Sequence, residues 1–327
     1  MKRLTMREAI REALVGEMTR DQDVILMGED IGQYGGTLQV TAGIWDRFGG
    51  GRVLDTPLSE SAITGAAIGA AMMGLKPVLE IMFADFFTLA LDQLVNNAAK
   101  MCYAYDGDMR VPMVVRAAFG AGTRSGMHHC QNLEAWLAHV PGLKVVMPAT
   151  AADAKGLLTA AIRDPDPVIF LEHKMLYGLR GEVPEGEYTI PLGKAAVVRT
   201  GTDVTIVACG VMVHKAMRAA VRLEKEEIQA EVIDLRTIKP LDQDTLVDSV
   251  VKTGRLLVVH EACLFGGIGG EIAAIAAKEA FGYLDAPIER IGAPDTPVPF
   301  SPTLEDFFIP NEDRIVRTVK GMFGERT

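Results

Sequence analysis

The sequence has no long apolar run, no closely spaced cysteine pair and no cluster of basic residues. Its longest uncharged, mostly apolar stretch, residues 62–75, is shorter than the roughly 20 residues that a membrane-spanning helix needs. The four cysteines lie far apart, which argues against a CxxC zinc site or a disulfide framework and is typical of a reducing compartment. A formal net charge of −10 without a basic run removes the electrostatic basis for binding nucleic acid. We therefore expect a cytoplasmic protein that binds neither membranes nor nucleic acids.

The common nucleotide-binding and nucleophile motifs are absent as well. Residues 266–270 contain four glycines after a predicted strand, but their spacing does not fit the dinucleotide fingerprint. The acidic turn Asp106-Gly107-Asp108 has no second set of ligands to hold magnesium. There is no P-loop and no GxSxG nucleophile elbow. Any catalytic role must therefore depend on other residues.

Short apolar runs alternate with helix-like segments along most of the chain, including a first helix to about residue 18 that Thr5 can cap and a helix over residues 88–103. The strand-like runs are residues 24–27, 53–54, 77–82, 113–116, 144–147, 168–172, 204–208, 230–235 and 256–260. Strands separated by helices of this length predict mainly parallel, doubly wound α/β sheets. A Pro/Gly/Glu-rich passage at 180–200 interrupts the alternation. We predict two α/β domains, residues 1–185 and 193–327.

The densest group of candidate functional residues is Asp55-Thr56-Pro57-Leu58-Ser59-Glu60, which precedes a helix of small and apolar residues. Two interpretations of Glu60 stay open. Its carboxylate can satisfy the amides at the helix start, as acids in a first turn commonly do. Alternatively, apolar neighbours and a partner shield a carboxyl group that shares a proton with a ligand. The helix carries Ala62, Gly65 and Gly69 on one face, where another backbone can approach closely at a subunit interface.

Two further segments hold candidate residues. His128 and His129 lie in a glycine-rich connection after a predicted strand, where doubly wound folds place their sites. Adjacent histidines cannot easily face one pocket, so at most one is functional, and a loop histidine is often merely exposed. The aromatic turn at 83–87 either belongs to the core or offers a face on which a flat heterocycle can stack.

Taken in order along residues 3–320, these segments resemble the β-subunits of the decarboxylating component of 2-oxo-acid dehydrogenases, the family of the pyruvate, branched-chain and acetoin enzymes. The segments that carry the resemblance are 28–30 (Gly-Glu-Asp), 55–60, 83–86 with 92–93, 129–131 (His-Cys-Gln), 139–146, 234–238 and 297–300. Many relatives have serine where this chain has Cys130, but the neighbouring histidine is kept. The resemblance implies two doubly wound domains, a thiamine-diphosphate pyrimidine-binding domain followed by a transketolase C-terminal-like domain.

The resemblance also implies roles for individual residues. Glu60 would hydrogen-bond N1′ of the cofactor's aminopyrimidine and promote removal of the thiazolium C2 proton. Phe86 would stack on the pyrimidine, and Leu58 and Met82 would line it. Glu29 would join the proton network between paired sites. His129 would face the acyl-bearing intermediate and assist its passage to a lipoyl group.

Some relatives bind potassium through a loop that corresponds to residues 161–166. The resemblance therefore implies a potassium site formed by Met113, Ala161, Ile162, Asp164 and Asp166. Carbonyl oxygens supply much of such a site, so the side chains in this chain test it only weakly.

Thiamine diphosphate also needs an anchor for its diphosphate, usually magnesium held by a Gly-Asp-Gly segment and a later asparagine. This sequence lacks that set. We therefore expect a partner α-subunit to hold the magnesium, in a heterotetramer of two α and two β chains. A lipoyl-bearing acyltransferase core is the further partner that the resemblance implies.

Three candidate substrates stay open: pyruvate, a branched-chain 2-oxo acid and acetoin. The segments at 59–62 and 172–177 lean towards acetoin-type relatives, and pyruvate or acetoin is the preferred expectation. A different class of function, a non-catalytic subunit that only stabilises such a complex, stays open as an alternative. Replacement of Glu60 distinguishes the two, since only a catalytic subunit depends on that carboxyl group.

Overall fold

The computed structural model describes residues 1–324, which form two compact units. The first unit contains residues 1–119 and 136–192, and the second contains residues 120–135 and the chain from residue 193 on. No helix in the described range is both long and apolar enough to cross a membrane.

The first unit is built on a parallel sheet with strand order β6-β7-β5-β4-β2-β3. Two further strands, β1 and β8, pair with each other in an antiparallel ribbon. The central strands are buried along most of their length, as expected for a parallel sheet with both faces covered. The strands are β1 Lys2–Thr5, β2 Val24–Gly28, β3 Val53–Asp55, β4 Lys76–Phe83, β5 Val114–Phe119, β6 Lys144–Val146, β7 Val168–His173 and β8 Arg180–Val183.

The helices that begin in the first half of the chain are α1 Met6–Arg20, α2 Ile44–Phe48, α3 Glu60–Met72, α4 Phe87–Asp92, α5 Ala99–Ala104, α6 Glu134–His139 and α7 Ala151–Arg163. Thr5 caps α1 as predicted, because its hydroxyl accepts the Glu8 N–H and the Glu8 carboxylate accepts the Thr5 N–H. The single helix predicted over 88–103 is interrupted, since a π-helical turn at Gln93–Ala98 joins α4 to α5.

The second unit has its own five-stranded sheet, with order β14-β13-β10-β11-β9. All neighbouring strands are parallel except β9, which runs antiparallel to β11. The strands of this half are β9 Ala196–Arg199, β10 Val204–Ala208, β11 Ala230–Asp234, β12 Thr237–Lys239, β13 Leu256–Cys263 and β14 Glu289–Ala293. The helices are α8 Val211–Glu224, α9 Gln243–Thr253, α10 Gly269–Glu279, α11 Pro302–Phe308 and α12 Glu312–Gly321.

The two compact units differ from a simple division of the sequence in one segment. Residues 120–135 follow β5, yet they cluster with the second unit. The hydrogen-bond partners of this segment include Glu261 and Glu305, which are far away in sequence. A division by composition cannot detect such contacts, and the domain limits 1–185 and 193–327 stay a prediction.

Candidate functional site

Three of the predicted site residues follow neighbouring strands of the first unit. Glu29 comes directly after β2, Glu60 begins the helix after β3, and Phe86 closes the 3₁₀ turn after β4. Because β3 and β4 flank β2 and run parallel to it, these residues lie at the same edge of the sheet. The carboxyl edge of parallel strands is where doubly wound folds bind their ligands.

The end of β2 is fixed by a close approach to β4. Gly28 has φ +156°, and a Cβ atom there would lie 2.8 Å from the carbonyl oxygen of Glu80. On the other side, the Thr56 N–H donates to the Gly28 carbonyl over 2.9 Å. Only glycine fits between these neighbours, so β2 ends here and the chain turns to place Glu29 in the interior.

Glu29 and Glu60 form a pair of carboxyl groups in different surroundings. Glu29 is only 4% exposed, its Oε1 accepts the Ser59 N–H over 3.3 Å, and its Oε2 has no hydrogen-bond partner among the described residues. Burial raises the pKa of Glu29, and the negative charge of Glu60 raises it further. Glu60 is half-buried, and no donor in the described part of the chain reaches its carboxylate. Ser59, the residue before α3, makes no side-chain capping bond, and Glu60 is the acidic residue in the first turn of α3, so both interpretations of Glu60 stay predictions.

Apolar side chains border these carboxyl groups. Leu58 is 78% exposed, whereas Met82 and Phe86 are half-buried near the end of β4. The rings of Phe83 and Phe86 meet edge to face, with 6.1 Å between their centroids. Two carboxyl groups at the same sheet edge as an aromatic ring and two flexible apolar groups fit a flat heterocycle with polar ring atoms.

A buried ionic network beneath this edge was not predicted from the sequence. The Arg116 guanidinium binds Glu172 through two contacts of 2.7 and 2.8 Å and Glu80 through one of 2.7 Å. The Tyr177 hydroxyl donates to Glu172 over 2.6 Å. Burial by itself lowers the pKa of Arg116, but the two carboxylates outweigh it and hold that pKa above its ordinary value. One sequence feature could have predicted the network: Arg116 is a charged residue in an otherwise apolar strand, and a buried charge needs partners.

A cavity with room for about one water molecule adjoins the network. It is lined by Met82, Arg116 and Tyr177, among others. The network therefore holds in place the end of β4, which carries Met82.

His129 belongs to the second unit, in the segment 120–135. It is half-buried, whereas His128 and Met127 are exposed. The next residue, Cys130, is fully buried, so the segment turns one side inward at this point. The two histidines therefore lie in different surroundings, and the role of His129 stays a prediction.

The five residues of the predicted potassium site lie in the first unit. The carboxylates of Asp164 and Asp166 are both occupied by Lys144, and Asp166 also binds Arg110. The Met113 carbonyl accepts the Val168 N–H, and the Ala161 carbonyl accepts the Asp164 N–H. These atoms already have partners within the chain, and the potassium site stays a prediction. Elsewhere in the described range, no group of three or more His, Cys, Asp or Glu side chains is arranged to hold a metal ion.

The chain is similar to known proteins along nearly its whole length. Residues 2–180 match the family described as the transketolase pyrimidine binding domain, and residues 193–315 match the transketolase C-terminal domain. The β-subunit of acetoin:2,6-dichlorophenolindophenol oxidoreductase from Cupriavidus necator is 52% identical over 98% of both chains. The β-subunit of 2-oxoisovalerate dehydrogenase from Bacillus subtilis is 48% identical over 94% of this chain and 95% of its own.

A third relative carries a different substrate in its name. The β-subunit of the pyruvate dehydrogenase E1 component from Rhizobium meliloti is 47% identical over 98% of this chain and 70% of its own. Among solved structures, an inactive β4 tetramer of a split-gene transketolase superposes with a TM-score of 0.81 and 25% identity. That likeness covers 98% of each chain.

Proposed function

The chain belongs to the β-subunit family of the 2-oxo-acid and acetoin dehydrogenases, and on that premise we propose that it supplies the pyrimidine half of a thiamine diphosphate site. In this proposal an α-subunit completes the site in a heterotetramer of two α and two β chains. The assembled enzyme cleaves a 2-oxo acid or acetoin and passes the acyl group to the lipoyl group of an acyltransferase core.

The observation that carries the proposal is that Glu29, Glu60 and several apolar side chains lie at the same edge of one sheet. Glu29 has a buried oxygen without a hydrogen-bond partner, and the Glu60 carboxylate meets no donor in the described part of the chain. A buried polar atom without a partner is uncommon and calls for an explanation. A bound ring that hydrogen-bonds Glu60 and links it to a proton network through Glu29 provides one.

The side chains at this edge fit distinct tasks toward the cofactor. When bound, thiamine diphosphate supplies the carbon that bonds to the substrate carbonyl and takes up the electrons of the cleaved bond. Glu60 would hold a proton between its carboxyl group and the pyrimidine N1′ atom. Phe86 and Met82 would pack against the ring and exclude water, and Leu58 would cover it from the exposed side. Glu29, whose pKa is raised, would keep a proton available beside Glu60.

The other half of the site falls to the partner. The donor chemistry of the described residues offers no arranged set for magnesium, so the α-subunit would hold the metal and the diphosphate. The face of α3 that carries Ala62, Ala66 and Gly69 is exposed in this chain. Small residues there leave room for a closely packed neighbouring chain, which supports a shared site.

His129 would act after decarboxylation. A half-buried imidazole can donate to or accept from an acyl group and the lipoyl sulfur without a large change in its own position. Its replacement should therefore slow transfer to the lipoyl group more than turnover with an artificial electron acceptor.

Glu60→Gln in the complex reconstituted with the α-subunit tests the proposal. The amide cannot exchange a proton with N1′, so we expect turnover to fall by about 10²–10⁴-fold, while thiamine diphosphate still binds. Titration calorimetry measures the binding and a decarboxylation assay the turnover. Asp46→Asn, an equivalent change at an exposed position of α2, is the control. Turnover of the Gln variant within a factor of two of the unmodified complex would instead indicate a subunit that only stabilises its partner.

The substrate requires a separate assay. The names of the relatives cover acetoin, 2-oxoisovalerate and pyruvate at similar identities, so similarity does not choose among them. The chain paired with its own α-subunit should be assayed on all three compounds, and the highest kcat/KM identifies the physiological class.

A further inference from the structure

The order of strands in the second unit creates a position where doubly wound folds usually bind a ligand. The chain proceeds from β10 to β11 on one side, and then crosses to β13 on the other side of β10. The crevice at the carboxyl ends of β10 and β13 is therefore a topological switch point. Glu261, near the end of β13, is 5% exposed and lies at this edge.

This edge is occupied by the segment 120–135 of the same chain. The Ala121 N–H donates to Glu261 Oε1 over 2.6 Å, and the Asn132 side-chain amide donates to the same oxygen over 3.3 Å. A single carboxylate oxygen thus binds the segment near its beginning and near its end. Because both ends donate to one oxygen, this contact constrains them together.

A second carboxylate binds the turn between them. Glu305 of α11 is fully buried and accepts the Gly122 N–H over 2.8 Å and the Arg124 N–H over 3.2 Å. The Arg124 guanidinium donates to Glu305 over 2.7 Å and to Asp306 over 2.7 Å. Arg124 has φ +59°, a left-handed conformation that costs free energy for a non-glycine residue. The contacts to Glu305 offset that cost.

A third contact leaves no space for a side chain. Gly126 has φ +71°, and a Cβ atom there would lie 2.3 Å from the ring of Phe300. The backbone of the segment therefore packs directly against an aromatic ring three residues before His129.

We propose that Glu261 and Glu305 are positioning residues that hold the segment 120–135 at the carboxyl edge of the second unit's sheet and thereby orient His129. In this chain, the segment 120–135 occupies the crevice in which other doubly wound domains bind a ligand. The part that concerns His129 rests on the function proposed above, whereas the anchoring of the segment does not.

The experiment uses the complex with the α-subunit and compares Arg124→Ala with Arg218→Ala. Arg218 also pairs with a glutamate of the second unit, Glu312, but it does not touch the segment. Hydrogen exchange of peptides from 120–135 should increase about tenfold or more in Arg124→Ala and stay unchanged in the control. Transfer to a lipoyl acceptor should fall in kcat for Arg124→Ala, with an unchanged KM for the oxo acid.

Variants at Glu261 provide the second measurement. Glu261→Ala removes the acceptor, whereas Glu261→Gln keeps an oxygen that can accept both N–H groups. Faster exchange in the alanine variant and restoration by glutamine support anchoring through that oxygen. Equal exchange in Glu261→Ala and the unmodified complex, together with unchanged exchange in Arg124→Ala, would overturn the proposal.

His129→Ala separates this proposal from the function on which it partly rests. If His129→Ala slows lipoyl transfer and Arg124→Ala loosens the segment without slowing it, the orienting role of the anchors is wrong. If His129→Ala leaves transfer intact, the transfer role of His129 is wrong, and increased exchange still supports the anchoring.

Discussion

Glu29 and Glu60 follow neighbouring strands, yet they differ in what surrounds them. Glu29 lies in the interior with one oxygen lacking a partner, whereas Glu60 is half-buried at the start of α3. Two carboxyl groups with unequal solvation are a common means of holding a proton on one and charge on the other. This asymmetry, more than the identity of either residue alone, supports the acid–base role proposed for the pair.

Glu134 in the second unit is another buried carboxyl group, and it predicts a specific pH dependence. Burial raises the pKa of Glu134 to about 7, a contact with its own backbone N–H opposes this, and the charge of Glu261 adds to the rise. Its Oε2 has no hydrogen-bond partner among the described residues. Between pH 4.5 and 7 the unfolded chain releases this proton while the folded chain keeps it. The free energy of unfolding therefore falls with rising pH, by about 3 kcal/mol in total from this group.

Glu134→Gln should remove that dependence. Relative to the unmodified chain, the variant should gain stability as the pH rises from 5 to 7.5, with no further gain above it. Urea denaturation at a series of pH values measures the difference, and Glu271→Gln, the same change at an exposed position of α10, is the control. A difference that is constant with pH, or that grows towards low pH, would contradict the assignment.

At the scale of elements, β4, β5 and β7 are connected by more than their backbone ladder. Arg116 on β5 binds Glu80 on β4 and Glu172 on β7. The side chains of Arg116 and Glu172 are buried, and that of Glu80 is only 15% exposed. Such a network stabilises only when it is complete, because each charge has lost its hydration. It also holds the strand that carries Met82 in a fixed position beneath the site.

Arg116→Met should therefore destabilise the first unit strongly. The change leaves two carboxylates buried without their partner, for which we expect a loss of about 3–5 kcal/mol in the free energy of unfolding. Urea denaturation measures it, with Arg110→Met at the exposed pair to Asp166 as the control. We expect a much smaller loss there, since solvent screens that pair. Equal losses in the two variants would mean that the network contributes no more than a surface ion pair.

Much of this level of structure could be predicted from the sequence, because it depends on local patterns. The strand predicted at 24–27 is a run of apolar residues, and Thr5 is the predicted cap of α1; the structure confirms both. The short strands β9 and β14 and the helix α11 were not predicted, since their sequences lack clear periodicity. The partners of Arg116 and of the segment 120–135 could not be predicted. They lie between 36 and 183 residues away, and no local rule relates them.

The candidate site, too, could be predicted from the sequence only in part. Glu60 and Phe86 were found through resemblance to a family, and their common sheet edge follows from a strand order that only the fold reveals. No role was predicted for Glu261 or Glu305 from the sequence, because an isolated acid on a strand or helix is usually a surface residue. Their burial is what distinguishes them.

At the scale of the whole molecule, the chain matches its relatives along nearly its entire length, including proteins that act on different substrates. On the function proposed above, this chain would contribute half of a cofactor site and leave the choice of substrate largely to another chain.

The half-site is tested most directly by measuring the binding of thiamine diphosphate with magnesium, by titration calorimetry, to this chain alone and to the complex with its α-subunit. We predict no tight binding and no decarboxylation by the isolated chain, and both properties in the complex. Tight binding by the isolated chain, accompanied by decarboxylation of a 2-oxo acid, would contradict it.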